Sequence, residues 1–237
     1  MASNQKQGLD EPAVFRIFLH PIRTVVWAAL AFALLFLVAS LVMIGMYYDR
    51  PTDGLTALRE MTETALGYTT IDGDVTRTTE LTAHAAVALS NGFAKLFGFS
   101  AGIHHLVTGS SVPFTEEPYQ RVLSQNLGSV LMLIQTVKLL VVRIALVVAS
   151  LPLLLLGTSL GAADGLVARA IRRANAGRES SNLYHRAKQL HWVGLVFAIG
   201  LFLVAPISIN PAWVFLPYAA WAALLSHVQW KYYKKYF

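Results

Sequence analysis

The sequence has no cysteine, and only 14% of its 237 residues are charged, against a hydrophobic share of 55%. Without thiols there is no disulfide framework, no thiolate metal site and no redox-thiol chemistry, so any part outside the apolar segments has to be held by packing alone. No Gly-rich phosphate loop ending in Lys-Ser or Lys-Thr, no Gly-x-Gly-x-x-Gly fingerprint and no His-Glu-x-x-His pair occurs. Energy coupling by the chain itself is therefore not expected. Scarce charge together with a positive mean hydropathy is foreign to soluble globular domains and expected of an integral membrane protein. The formal charge is +6, but in such a protein the placement of charges says more than their sum.

Long apolar runs are what the chain has in quantity. Residues 24–48 form 25 positions without a charge, about 37 Å as a helix, enough to cross a bilayer with some tilt. The run is longer than a signal-peptide core and "MIGMYYDRP" offers no small-residue cleavage site, so an uncleaved signal anchor is expected. Further spans are predicted at residues 144–163, 192–209 and 212–230. Only Asn210 and Pro211 separate the last two, which reads as a turn between antiparallel helices.

Lys and Arg distribution sets the orientation. The 1–23 segment, the 164–190 loop and the 231–237 tail hold twelve basic residues against four acids, whereas residues 49–128 hold five basic residues and nine acids. Both termini and the 164–190 loop are expected in the cytoplasm, with the 49–128 segment outside. The fold expected is all-α: a polytopic membrane protein with four transmembrane helices, a small outer helical segment and a basic cytoplasmic helical hairpin. Its parts are an N-terminus 1–23, helix one 24–48, the outer segment 49–128, an amphipathic lead-in with helix two 129–163, the hairpin 164–190, the paired helices 191–230 and the tail 231–237.

Within the outer segment, Leu89, Phe93, Leu96 and Phe97 recur at helical spacing, as do Leu55, Leu58 and Met61, predicting a small helical cap. His84, His104 and His105 invite a metal reading, but adjacent histidines diverge on a helix and no carboxylate stands at ligand spacing. Interfacial or solvated histidines are the favoured reading, and no metal or cofactor is expected. From residue 118 to 143, Leu127, Val130, Ile134 and Val137 share one face while Gln125 and Gln135 fall off it, the pattern of an amphipathic helix running into the second span. Lys138 and Arg143 lie just before that span. Because 20 apolar residues follow Arg143, both heads are expected in water at the outer surface.

Gly157, Gly161 and Gly165 repeat every fourth position, a face on which another backbone can approach closely, within the chain or between chains. Past the membrane the helix is expected to continue through "DGLVARAIRRANAG", where Arg169, Arg172 and Arg173 complement the helix dipole and Asn175 and Gly177 can end it. The run "ESSNLYHRAKQLHW" then restarts a helix, with Ser180 or Ser181 as cap and Leu183, Ala187 and Leu190 on one side. Ser180 or Ser181 with His185, oriented by Asp164 or Glu179, has the elements of a nucleophile and base, but no Gly-x-Ser-x-Gly elbow is expected and a charged surface lacks the dry cavity such catalysis uses. The chain is not expected to be an enzyme. Its basic residues serve the inside-positive signal and are available to anionic lipid headgroups, to a partner protein or to nucleic acid.

The stretches "DGLVARAIRR" and "GRESSNLYHRAK", the proline-punctuated apolar hairpin after them and the terminal "KKYF" resemble the integrating-conjugative-element membrane protein family, a family of unknown domain function linked to type IV secretion. The resemblance covers most of the chain and is strongest from Asp164 to Lys188. It implies a bacterial inner-membrane component of conjugative DNA transfer, partnered by the coupling ATPase or other secretion-system membrane subunits. The expected partner-binding surface is Arg169, Arg172, Arg173, Arg178, Glu179, Tyr184, His185 and Lys188, with helix packing at Gly157, Gly161 and Gly165. The competing expectations are a membrane-embedded enzyme or small transporter using Lys138, Arg143 or the Ser/His set, and an entry-exclusion or lipid-organising protein. A homo-oligomer is compatible with all of them.

Overall fold

A computed structural model of the chain describes residues 30, 31, 33–69, 77–108, 117–175 and 181–233. All regular structure among them is helical. The helices are α1 (Ala33–Met46), α2 (Pro51–Gly67), α3 (Arg77–Leu96), α4 (Phe99–Thr108), α5 (Glu117–Gln125), α6 (Leu127–Ala174), α7 (Ser181–Val204) and α8 (Pro211–Lys231).

Local chemistry explains most of the boundaries. Pro51 opens α2 and Pro211 opens α8, each at a first-turn position where the missing N–H costs nothing. Asn210 caps α8 by accepting from the Ala212 N–H at 2.9 Å. Gly98, at φ 70°, turns the chain between α3 and α4, which meet at 83°. α7 ends at Val204, five residues before the expected limit at 209. The cause is Pro206, which has no N–H to give and disfavours helical geometry at Ala205.

α6 dominates the architecture: 48 residues in one helix, about 72 Å long, joining the expected lead-in, second span and first hairpin arm without a break. Its hydroxyls turn inward on their own helix, Thr136 to Met132 O (2.8 Å), Ser150 to Leu146 O (2.8 Å) and Ser159 to Leu155 O (2.6 Å), so these polar groups are satisfied without water. α2 and α3 pack along α6, and Gln135, expected off the apolar face, donates to Thr62 Oγ1 on α2 at 3.3 Å. One core joins Met43, Leu58, Ala86, Leu139, Val142, Phe202 and Phe215, so the 49–128 segment shares its interior with the later helices. The inward face of α3 is Ala86, Ser90 and Ala94, while Leu89, Leu96 and Phe97 are exposed. Phe93 instead meets Phe36 of α1 edge-on at 5.2 Å.

By length and composition α6 and α7 can each cross a membrane, and the bent α3–α4 pair would be a third if it is one broken span. The expected count of four is not reached on this criterion. α1 is too short as described, and α8 is diluted by Pro217, Tyr218, His227 and Gln229. Large apolar side chains nevertheless cover the outside of these helices, among them Leu155, Leu160, Val196, Phe197 and Leu216, with Trp213 80% exposed.

Candidate functional site

The glycine repeat decides how the last three helices meet. A Cβ on Gly157 would lie 2.7 Å from Ala219 O, one on Gly161 would strike Ala223 O, and one on Gly165 would lie 2.5 Å from His227 O. Partners spaced by four on both helices, rising together, make α6 and α8 parallel neighbours, so the repeat packs within the chain. Ser226 Oγ tightens the seam by donating to Thr158 O at 2.8 Å, and His227 Nδ1 sits 2.7 Å from Asp164 Oδ2.

α7 runs antiparallel to both and leans on α8: Tyr218 OH donates to His191 O (3.0 Å) and Gln229 Nε2 to Ala187 O (3.2 Å). α6 and α7 touch only sparsely. The two arms of the expected basic hairpin are therefore held together through α8.

Arg143 overturns its expected place in water. It is 4% exposed, and its guanidinium donates to Leu203 O (3.0 Å), Ala205 O (2.7 Å) and Ile207 O (2.8 Å), with the Phe202 ring 5.9 Å away. Leu203 O is one of the carbonyls that α7 leaves open at its end, and Ala205 O and Ile207 O follow just beyond it, around Pro206. A planar fork of donors meets them while its charge faces the negative end of the helix dipole. Lys138 is half-buried.

The far end of the three helices collects cations and rings. Arg169 lies over Tyr233 at 5.5 Å, Arg172 over Tyr232 at 4.5 Å, and Tyr233 meets Tyr184 edge-on at 5.7 Å. Trp230 packs against Tyr233 at 5.7 Å. Part of the expected docking set is thus engaged internally, through cation–π contacts from α6 and a ring contact from α7 to the tyrosines that follow α8. Arg173, His185 and Lys188 are exposed, as is Arg186. Arg178 and Glu179, together with Gly177 and Ser180, lie outside the described residues, as do Lys234 and Lys235. All three guanidinium nitrogens of Arg172 and Nε of Arg169 are shielded from solvent without an acceptor among the described residues.

Of the two carboxylates expected to orient the Ser/His set, Glu179 lies outside the described residues, and so does Ser180. Asp164 approaches His227, and His185 instead faces Tyr184 at 5.2 Å. Contrary to expectation, Gly98-Phe99-Ser100-Ala101-Gly102 and Gly157-Thr158-Ser159-Leu160-Gly161 both have the spacing of a nucleophile elbow, yet Ser100 sits in the first turn of α4 after another helix and Ser159 lies inside α6, without the strand-to-helix turn the elbow requires. His104 and His105 have perpendicular rings 6.2 Å apart, and among the described residues no three His, Asp or Glu side chains converge. Sequence reasoning missed His227, Gln229, Trp230, Tyr232 and Tyr233. The signal available was the alternation of rings and lysines in "HVQWKYYKKYF".

This end, built from α6, the start of α7 and the end of α8, lies inside the 52–234 stretch matched by the family model described as IncC plasmid conjugative DNA transfer protein, DtrJ-like. The chain belongs to the DtrJ-like family. Membership agrees with the resemblance to conjugation-associated proteins seen in the sequence. Neither the curated proteins nor the solved structures give a match. The matched stretch takes in α8 and the aromatic residues that hold the DtrJ-like basic end together.

Proposed function

We propose that this DtrJ-like chain is a non-catalytic inner-membrane component of conjugative DNA transfer that docks a secretion-system partner, the coupling ATPase in the first instance, on its basic end. Membership of a conjugative transfer family carries the proposal. The charge layout supports the placement. The acid-rich segment packs at the start of α6, with Gly128 against Pro51 and Gly54 against Met132, whereas Arg169, Arg172, Arg173, Lys188 and Lys231 gather at the other end. An axis polarised this way suits a bilayer with the basic end in the cytoplasm. Parallel α6 and α8 with antiparallel α7 are what three successive spans joined by short links require. An apolar core of about 30 Å leaves both ends of the 72 Å helix outside it. In this reading α1 and α8 are spans as well, α8 being shielded along one side by α6 and α7.

The test is conjugation. Arg173→Glu with Lys188→Glu, in a donor lacking the native gene, is expected to lower transfer at least tenfold and to abolish co-purification of the coupling ATPase, with protein abundance unchanged. Wild-type transfer by the double variant would end the docking proposal. A phosphatase fused after Asn175 is expected to be inactive and a fluorescent protein there to be bright; an active phosphatase would reverse the orientation.

A further inference from the structure

α6 and α7 part along much of their length, and the gap between them is a half-open groove of about 390 Å3. Its walls are apolar, Leu151, Leu154 and Leu155 from α6 with Trp192 and Leu195 from α7, while Lys188, Tyr184 and Gln229 stand at one end. That end adjoins the cation cluster: Tyr184 touches Tyr233, which carries Arg169. The groove is mostly apolar along its length and carries the exposed Lys188 at one end, beside the cluster that holds Arg169 and Arg172. A phosphate is the acceptor that suits an exposed ammonium with guanidinium groups close behind it.

We infer that this groove binds one anionic phospholipid, an acyl chain lying against Leu151, Leu154, Leu155 and Leu195 and the phosphate at Lys188 beside the Tyr184–Tyr233–Arg169 stack. The volume falls in the range of about 300–1,000 Å3 typical of small-ligand sites. Zwitterionic lipid satisfies the walls equally but presents its phosphate beside a choline or amine that the basic end disfavours.

This inference rests on the membrane placement proposed above. Full-length protein purified in mild detergent would be examined by native mass spectrometry after titration with phosphatidylglycerol, phosphatidylcholine or inorganic phosphate. One phosphatidylglycerol is expected to remain bound, at least fivefold in preference to phosphatidylcholine. Lys188→Glu is expected to lower that preference about fivefold, the share of one basic residue. Leu155→Trp, which fills the groove from an exposed position, is expected to remove the bound lipid without changing the melting temperature. Equal retention of both lipids, competition by inorganic phosphate alone, or a dimer that Leu155→Trp dissociates would each overturn the inference. A protein recovered from cells without membranes or detergent would instead remove the membrane placement itself. A transfer defect plays no part in the readout, so loss of the conjugation proposal would leave lipid binding standing.

Discussion

The two flanks of α6 are built on opposite rules. Toward α8, every fourth residue is glycine and the backbones touch, so Gly157, Gly161 and Gly165 have no room for a methyl group. Toward α7, the flank carries Leu151, Leu154 and Leu155, and a groove remains open. Small residues make a rigid seam because dispersion contacts and the Ser226 hydrogen bond act at close range, where no side chain can rearrange to relieve a clash. Large leucines facing a helix that is anchored elsewhere make a surface that tolerates change and admits a ligand.

Substitutions can break this contrast in graded steps. Gly161→Leu is expected to cost the most, above about 3 kcal/mol, because a side chain there meets Ala223 backbone that cannot move without separating α6 from α8. The variant should fail to give a monodisperse peak in detergent. Arg143→Ala comes next. It strips donors from three carbonyls at the end of α7, each worth about 1–3 kcal/mol when buried and unpaired, with relief from water at exposed Ile207, so a loss of about 3 kcal/mol is expected in thermal unfolding. Arg143→Lys should recover only part of it, since an ammonium cannot reach three acceptors with the geometry of the fork. Ser226→Ala removes one bond across the seam and should cost about 1 kcal/mol. Leu155→Ala, on the groove side, should stay within about 0.5 kcal/mol of wild type. If Leu155→Ala proved as damaging as Gly161→Leu, the contrast between seam and groove would be lost.

Much of the candidate site was legible in outline. The arginines after the second apolar run, the restart of a helix before Tyr184 and the Asn210-Pro211 start of α8 all follow from spacing and capping chemistry. The closing aromatic residues are harder to read, because Tyr232 and Tyr233 stand in a short tail whose importance depends on where it lands. It lands on Arg172 and Arg169, some sixty residues earlier in the chain. The same holds for Asp164, one of two carboxylates that the sequence offers to His185: the register of the glycine seam brings His227 beside it instead.

The sequence alone determined the helical class, the uneven placement of charge and the presence of a close-packing face on α6, because composition and four-residue spacing are properties of a single helix. Tertiary structure decided which helix that face meets, that α7 rests on α8 and leaves a groove, and that Arg143 turns inward. These outcomes depend on how helices rotate against one another and on carbonyl oxygens freed at the end of α7. Backbone acceptors of that kind carry no residue-specific mark, so no pattern at Arg143 could have pointed to them.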